Sequence, residues 1–163
     1  MKKGLLVFLL VCCLITFSQA AWALSGPTVR AEQGSMNAML ISDHGFSLGG
    51  DYGLNSELGL TAKVGTSFTR LGIKYQFDNN LALLAGLADS DPFVGINGQR
   101  GLTNELLGLY ELNLTTRRGN LSLMYDLGVR TNLNQKLDLK AGFIGYLDDR
   151  SSINLQLGVG HRF

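Results

Sequence analysis

Two groups of titratable residues in this sequence carry side chains capable of chemistry. The first group lies in short polar breaks between apolar segments. A histidine within hydrogen-bond reach of a carboxylate can act as a general base, and clustered carboxylates favour hard cations such as Ca²⁺ or Mg²⁺. The spacing matches no calcium-loop motif, and aspartate is a common turn former, so we expect no catalytic residue, no metal site and no cofactor. The group consists of Asp43, His44, Asp89, Asp91, Asp148 and Asp149.

The second group consists of charged residues at alternate positions within otherwise apolar segments. In an extended strand, alternate side chains point to one face, so these charges share a face of the sheet with many glycines. Small residues beside long charged ones suit a narrow interior where Lys and Arg reach Asp and Glu. The predicted interior charge network is Asp51, Lys63, Arg70, Lys74, Glu111, Asp126, Arg130, Asp138, Lys140 and Arg162.

The overall charge and the cysteines exclude several kinds of function. The formal net charge is +1, and no basic run is longer than Arg117-Arg118, so nucleic-acid binding has no support. The two cysteines, Cys12 and Cys13, fall near the start of the chain. The rest of the sequence therefore offers no disulfide, thiol nucleophile or Cys-type zinc site.

The first 23 residues are typical of a cleavable signal peptide. Lys2 and Lys3 precede an apolar run over 5–17, which is shorter than the roughly 20 residues of a membrane-spanning helix. Ala21 and Ala23 supply the small residues of a cleavage site. We therefore expect export, removal of residues 1–23, and a single domain over 24–163.

Past the signal peptide, apolar residues recur at every second position between short polar turns, which predicts an all-β chain. Four turns share a pattern of three polar residues between two large apolar ones, at 54–58, 77–81, 102–106 and 133–137. The segments that precede them resemble the last seven residues of the chain. These repeats predict a closed antiparallel up-and-down barrel, and the charges and glycines that share one face of its strands favour a transmembrane barrel over a soluble one. The hairpins are 34–41 with 46–54, 57–65 with 68–77, 80–88 with 93–101, 105–114 with 120–133, and 136–147 with 153–163.

Ten strands are favoured, and eight are the alternative if the first strand or the glycine-rich 93–101 is a loop. The face opposite the charges is apolar and is the predicted lipid face. It comprises Leu58, Leu60, Ala62, Val64, Leu71, Ile73, Tyr75, Phe77, Leu121, Leu123, Tyr125, Leu127, Val129, Ile153, Leu155, Leu157 and Val159.

The last strand carries a family resemblance. Phe163 is preceded by apolar residues at alternate positions, namely Ile153, Leu155, Leu157 and Val159. This pattern resembles the C-terminal assembly signal of bacterial outer-membrane barrels, although His161 is polar where that family more often has an apolar or aromatic residue. The resemblance implies a Gram-negative outer-membrane location, with the four repeated turns facing the periplasm. It also implies contact with membrane lipid and lipopolysaccharide, and assembly by periplasmic chaperones and the barrel-assembly machinery.

The function expected from these features is a structural or envelope role, without enzyme activity. Loops opposite the repeated turns are short, which argues against a receptor. If the interior charges are fully paired they fill the barrel, and if partly hydrated they line a narrow, porin-like pore for ions or small solutes; a filled interior is favoured in so small a barrel. A hydrolase with Asp43 and His44 at its rim, and a soluble ligand-binding barrel, are further alternatives. The oligomeric state is left open.

Overall fold

The structure is a computed structural model that describes residues 25–66, 68–117, 119–147 and 152–163. The predicted signal peptide, residues 1–23, lies outside this part of the chain. No helix within the described ranges is long and apolar enough to cross a membrane.

Ten antiparallel strands form one closed barrel, in which each strand pairs with its neighbours in the chain and the first strand pairs with the last. This confirms the ten-strand prediction. Both doubtful strands are present, as β1 and β6. The strands are β1 (Gly34–Ile41), β2 (Gly45–Gly53), β3 (Leu58–Gly65), β4 (Thr69–Gln76), β5 (Leu81–Ala88), β6 (Asp91–Gly101), β7 (Leu106–Arg117), β8 (Asn120–Asn132), β9 (Leu137–Leu147) and β10 (Ser152–Arg162).

The four repeated turns share one hydrogen-bonding scheme, and together they define the turn end of the barrel. In the last of them, the N–H groups of Leu133 and Asn134 donate to the carbonyl of Leu137 over 2.9 and 3.2 Å. The Asn134 side-chain oxygen accepts from the N–H groups of Lys136 and Leu137, both over 2.8 Å. Asn55, Asp78 and Thr103 make the equivalent side-chain bonds in the other turns. The second position of each turn therefore carries the residue that closes it.

The opposite end, here the loop end, also has short connections. Between β5 and β6 only Asp89 and Ser90 intervene, and both have positive φ (51° and 76°). This is the backbone conformation of a two-residue hairpin turn whose twist matches that of the strands. The predicted connection, 89–92, was therefore too long. Pro92 lies inside β6, opposite Leu87.

The two faces of the wall differ sharply in chemistry. Along β4, Leu71, Ile73 and Tyr75 are 61%, 50% and 42% exposed, whereas Arg70 and Lys74 are buried. β10 has the same distribution of exposed apolar and buried polar side chains. Ile153, Leu155, Leu157 and Val159 are exposed, while Asn154 and Gln156 are buried. One residue of the predicted lipid face departs from the pattern: Tyr125 is only 8% exposed. It pairs in register with Gly145 on β9, which has no side chain, and with Leu112 on β7.

The segment before β1, residues 25–33, folds back into the turn end of the barrel. Ser25, Pro27 and Val29 are buried, while Arg30 is exposed. The N–H of Glu32 donates to the carbonyl of Gly53 over 2.9 Å, and the N–H of Gly53 donates to the carbonyl of Gln33 over 2.9 Å. Gly53 lies so close to the Arg30 backbone that any side chain there would collide with it. We call residues 25–33 the N-terminal segment.

Candidate functional site

Four charged side chains meet across the lumen and form what we call the four-charge network: Lys63, Arg70, Glu111 and Asp126. Lys63 and Arg70 are direct cross-strand neighbours on β3 and β4, and Glu111 and Asp126 are direct neighbours on β7 and β8. Like charges in such positions repel, so each pair needs the other. A pair of cations on one wall thus faces a pair of carboxylates on another.

The contacts within the four-charge network are close. Lys63 Nζ lies 3.2 Å from Glu111 Oε1 and 3.3 Å from Asp126 Oδ2, and Arg70 pairs with the same Glu111 oxygen. All four side chains are at most 4% exposed. Pairing between cations and carboxylates lowers the cost of burying these charges, because an isolated buried charge is strongly destabilising.

Neutral groups complete the network. Asn113 Nδ2 donates to Glu111 Oε1 over 2.8 Å, and Gln156 Nε2 donates to Asp126. The Arg70 guanidinium lies 5.1 Å from the centre of the Phe93 ring, within cation–π range. The lumen at this level is filled by side chains from six strands.

The remaining six of the ten predicted interior charges lie nearer the turn end and form the turn-end cluster: Asp51, Lys74, Arg130, Asp138, Lys140 and Arg162. Lys74 Nζ is 3.0 Å from Asp51. Asp138 is shared, with Lys140 Nζ at 3.5 Å and Arg162 Nε at 3.8 Å. Arg130 Nη2 donates to Gln99 over 3.5 Å. The structure therefore places the ten charges in two separate groups rather than one.

The N-terminal segment occupies the lumen beside the turn-end cluster. Lys74 Nζ donates to Ser25 Oγ over 3.2 Å and to the carbonyl of Gly26 over 2.9 Å. Asn97 Nδ2 donates to the carbonyl of Ser25 over 2.9 Å, and the N–H of Val29 donates to the Gln76 side chain. The segment thus supplies acceptors to the buried ammonium of Lys74 and narrows this end of the lumen.

A cavity of about 260 Å³ remains between the N-terminal segment and the wall at the turn end. Its lining includes all six residues of the turn-end cluster, together with Asn37. Asn37 is 3% exposed and its Oδ1 accepts from Lys140. The cavity is therefore polar and predominantly cationic.

Several of these lumen residues were not found in the sequence. Asn37, Asn97, Asn113 and Gln156 are neutral and fall at inward positions of their strands. Their parity was a usable signal, because a polar residue on the charged face is inward by the same alternation. Nothing comparable marked the N-terminal segment, which has no strand alternation.

The residues considered for rim chemistry do not form a site in the part of the chain that is described. Asp43 and His44 are exposed in the loop between β1 and β2. The Asp89 carboxylate accepts from the N–H of Thr69 over 2.6 Å, which ties the β5–β6 turn to the start of β4. Asp148 and Asp149 lie outside the described residues. No group of three potential metal ligands occurs among His, Cys, Asp and Glu in the described ranges.

The C-terminal residues considered as an assembly signal close the barrel. The N–H of Phe163 donates to the Gly34 carbonyl over 3.0 Å, and the N–H of Gly34 donates back over 2.9 Å. The Phe163 ring covers Gly34. The His161 ring stacks on the Phe163 ring, with the two centroids 6.2 Å apart. Residues 153, 155, 157 and 159 all face outward.

Comparisons with known proteins give similarities to solved membrane barrels. The outer-membrane protein Ail of Yersinia pestis in a phospholipid nanodisc is 15% identical over 82% of this chain and 100% of that one, with a TM-score of 0.47. The N-terminal barrel domain of Pseudomonas aeruginosa OprF is 14% identical over 81% and 98%, with a TM-score of 0.42. The KdgM porin, solved with disordered oligogalacturonate, is 10% identical over 80% and 99%, with a TM-score of 0.48. At these identities the similarity is one of fold alone. No family model and no curated protein matches the sequence.

Proposed function

We propose that this chain is a non-enzymatic integral barrel of the bacterial outer membrane, with a filled lumen and a structural role in the envelope. The observation that carries the proposal is the inverted distribution of polarity. Leu71, Leu121 and Ile153 are 61%, 71% and 73% exposed on the outside, while Arg70, Lys74 and Glu111 are at most 1% exposed inside. Water would be a poor solvent for that outer surface, whereas hydrocarbon would be a good one.

Closure of the sheet also supports a hydrocarbon environment around the barrel. A backbone N–H or C=O without a partner in hydrocarbon costs several kcal/mol, so only helices and closed barrels span bilayers. In this protein β1 pairs with β10 from Ser35 opposite Arg162 to Ile41 opposite Gln156, which leaves no sheet edge open.

Export and assembly complete the proposal. The signal peptide over 1–23 directs the chain across the inner membrane, and chaperones then hold it in the periplasm. The terminal strand, with Phe163 and the outward residues 153, 155, 157 and 159, is the segment recognised by the barrel-assembly machinery. Membrane lipid and lipopolysaccharide are the partners of the outer surface.

A filled lumen favours a structural role over the alternative of a narrow pore. The four-charge network occludes one level of the barrel, and the N-terminal segment narrows another. A permeating ion would have to separate buried charges that pair with one another, at a high cost in free energy.

Planar-bilayer recording on the purified, reconstituted protein tests this choice. We expect no steady conductance above the bare bilayer between pH 6 and 8. Steady unitary currents that disappear when the protein is omitted would contradict the filled lumen and identify the protein as a narrow pore.

A further inference from the structure

The turn-end cluster contains more positive charge than its own carboxylates neutralise. The four-charge network has two cations and two carboxylates, whereas the turn-end cluster has four cations and two carboxylates. Asp51 is the close partner of Lys74. Asp138 is the remaining carboxylate, and it lies near three cations, Lys140, Arg162 and Arg130.

The arrangement of these cations resembles one half of the four-charge network. Arg130 and Lys140 are direct cross-strand neighbours on β8 and β9, just as Lys63 and Arg70 are on β3 and β4. The Lys63 and Arg70 pair faces two carboxylates across the lumen. The Arg130 and Lys140 pair lines the cavity of about 260 Å³, and Lys140 contacts Asp138, which is shared with Arg162. Neighbouring like charges that share one carboxylate favour the binding of a further anion.

Unused hydrogen-bonding atoms line the same cavity. Within the described residues, the Nε atoms of Arg130 and Arg162 and the Nδ2 of Asn37 are buried donors without a hydrogen-bond partner. Oδ1 of Asp51 is a buried acceptor that likewise lacks one, and Oδ1 of Asp138 has the Lys140 ammonium 3.5 Å away. A ligand that matched this set would bring several acceptor oxygens and at least one hydroxyl.

We propose that the turn-end cavity binds a small phosphate-bearing anion through Arg130, Lys140 and Arg162, with Asn37 as an additional donor. Arginine presents a planar fork of N–H donors that fits the oxygens of such a group. Hydrogen phosphate also carries a hydroxyl that can donate to Asp51 or Asp138. Sulfate, which is fully ionised at neutral pH, has acceptors only. The proposal goes beyond the structural role and does not depend on the membrane in which the barrel lies.

The size of the cavity limits the ligand. Liquid water occupies about 30 Å³ per molecule, so the cavity has room for a phosphate group with a few waters and not for a long oligomer. The side chain of Arg162, which lines the cavity, is 40% exposed, so a ligand can reach the cavity from the solution at the turn end.

The binding test uses the full mature barrel, refolded in a detergent that contains no phosphate. The ³¹P resonance of inorganic phosphate is titrated with protein at constant ionic strength, with sulfate as the competing anion. We expect saturable broadening of the phosphate line and weaker competition by sulfate than by unlabelled arsenate, which also carries a hydroxyl. Linear, unsaturable broadening would overturn the proposal, and equal competition by sulfate would overturn its phosphate selectivity. A parallel titration uses short-chain phosphatidate. If phosphatidate binds more tightly than inorganic phosphate, the ligand is a lipid phosphate, and if it binds less tightly, the ligand is free phosphate.

Two variants locate the site, and a third controls for charge. Arg130→Gln and Arg162→Gln should each weaken phosphate binding by roughly tenfold to a hundredfold, the loss typical of one charged hydrogen bond. Lys136→Gln removes the same charge from an exposed turn at the same end and should leave binding unchanged. Equal affinities for all three variants would contradict the assignment.

Thermal unfolding separates binding from a purely structural role. In phosphate-free chloride buffer, Arg130→Gln should unfold at the same temperature as the wild type or higher, because it relieves repulsion from Lys140. Addition of phosphate should raise the midpoint of the wild type more than that of the variant. A variant less stable than the wild type without phosphate would show that the protein itself satisfies Arg130, and would overturn the proposal.

Discussion

In the lumen, each buried charge is placed by strand parity, but its partner is set by the closure of the barrel. Lys63 and Glu111 lie on strands separated by three others, and their atoms meet at 3.2 Å only because the sheet curves back on itself. The alternation of the sequence was enough to predict that all ten charges share one face. It could not show which carboxylate meets which cation, since that depends on the diameter and tilt of the barrel.

Removal of one member of the four-charge network should be costly. Glu111→Ala leaves Arg70 without its carboxylate and Lys63 with Asp126 alone, so we expect a loss of about 3–5 kcal/mol in the free energy of unfolding. Urea unfolding in lipid vesicles, followed by far-UV circular dichroism, measures this loss.

The matched control for that variant is Glu105→Ala, which removes a carboxylate from an exposed turn position. It should change stability by less than about 0.5 kcal/mol. If the two variants were equally stable, the buried ion pairs would contribute nothing measurable and the account of the network would be wrong.

Strands and turns are the part of this fold that the sequence predicts most completely. The period of two and the recurrence of the turn pattern placed all ten strands with boundaries close to those observed. The N-terminal segment could not be predicted in this way. Its stability comes from contacts with Lys74, Asn97 and Gly53 inside an already closed barrel, and those residues are distant in the sequence.

The second position of each repeated turn should tolerate only side chains that accept hydrogen bonds. Asn134→Ala removes the acceptor for two backbone N–H groups of an exposed turn, and we expect a loss of about 0.5–1.5 kcal/mol. Asn134→Asp should retain most of the stability, because Asp78 closes the equivalent turn in the same way. Urea midpoints of the two variants decide the matter, and equal losses would show that the side-chain bonds do not stabilise the turn.

Deletion of the N-terminal segment tests whether the two levels of the lumen are independent. Without residues 25–33 the ammonium of Lys74 loses two acceptors, so the barrel should be less stable to urea. The four-charge network is unaffected by the deletion, and planar bilayers should still show no steady conductance.

Replacement of residues 25–33 by a Gly/Ser linker of equal length serves as the control, because it keeps the chain length and removes the specific contacts. Steady currents from either variant would mean that the N-terminal segment alone seals the lumen, contrary to this account.

At the scale of the whole molecule, the wall divides two environments that require opposite side chains. The free-energy cost of a charged residue on the outer surface should therefore depend on its position along the strand, which sets its depth in the bilayer. Leu157 lies midway along β10 and faces outward, so Leu157→Arg should destabilise the folded protein in vesicles by about 2–4 kcal/mol. Leu133, in a turn at the barrel end, should accept arginine for about 1 kcal/mol or less. Similar costs at both positions would argue against a bilayer around the wall.

Fractionation of cells that express the full chain tests the central claim most directly. The account predicts that the protein sediments with outer membranes, is extracted only by detergent, and migrates faster on a gel when unheated than when boiled, because the closed barrel stays folded until it is heated. Release of the protein into the soluble periplasmic fraction by osmotic shock, without detergent, would contradict it.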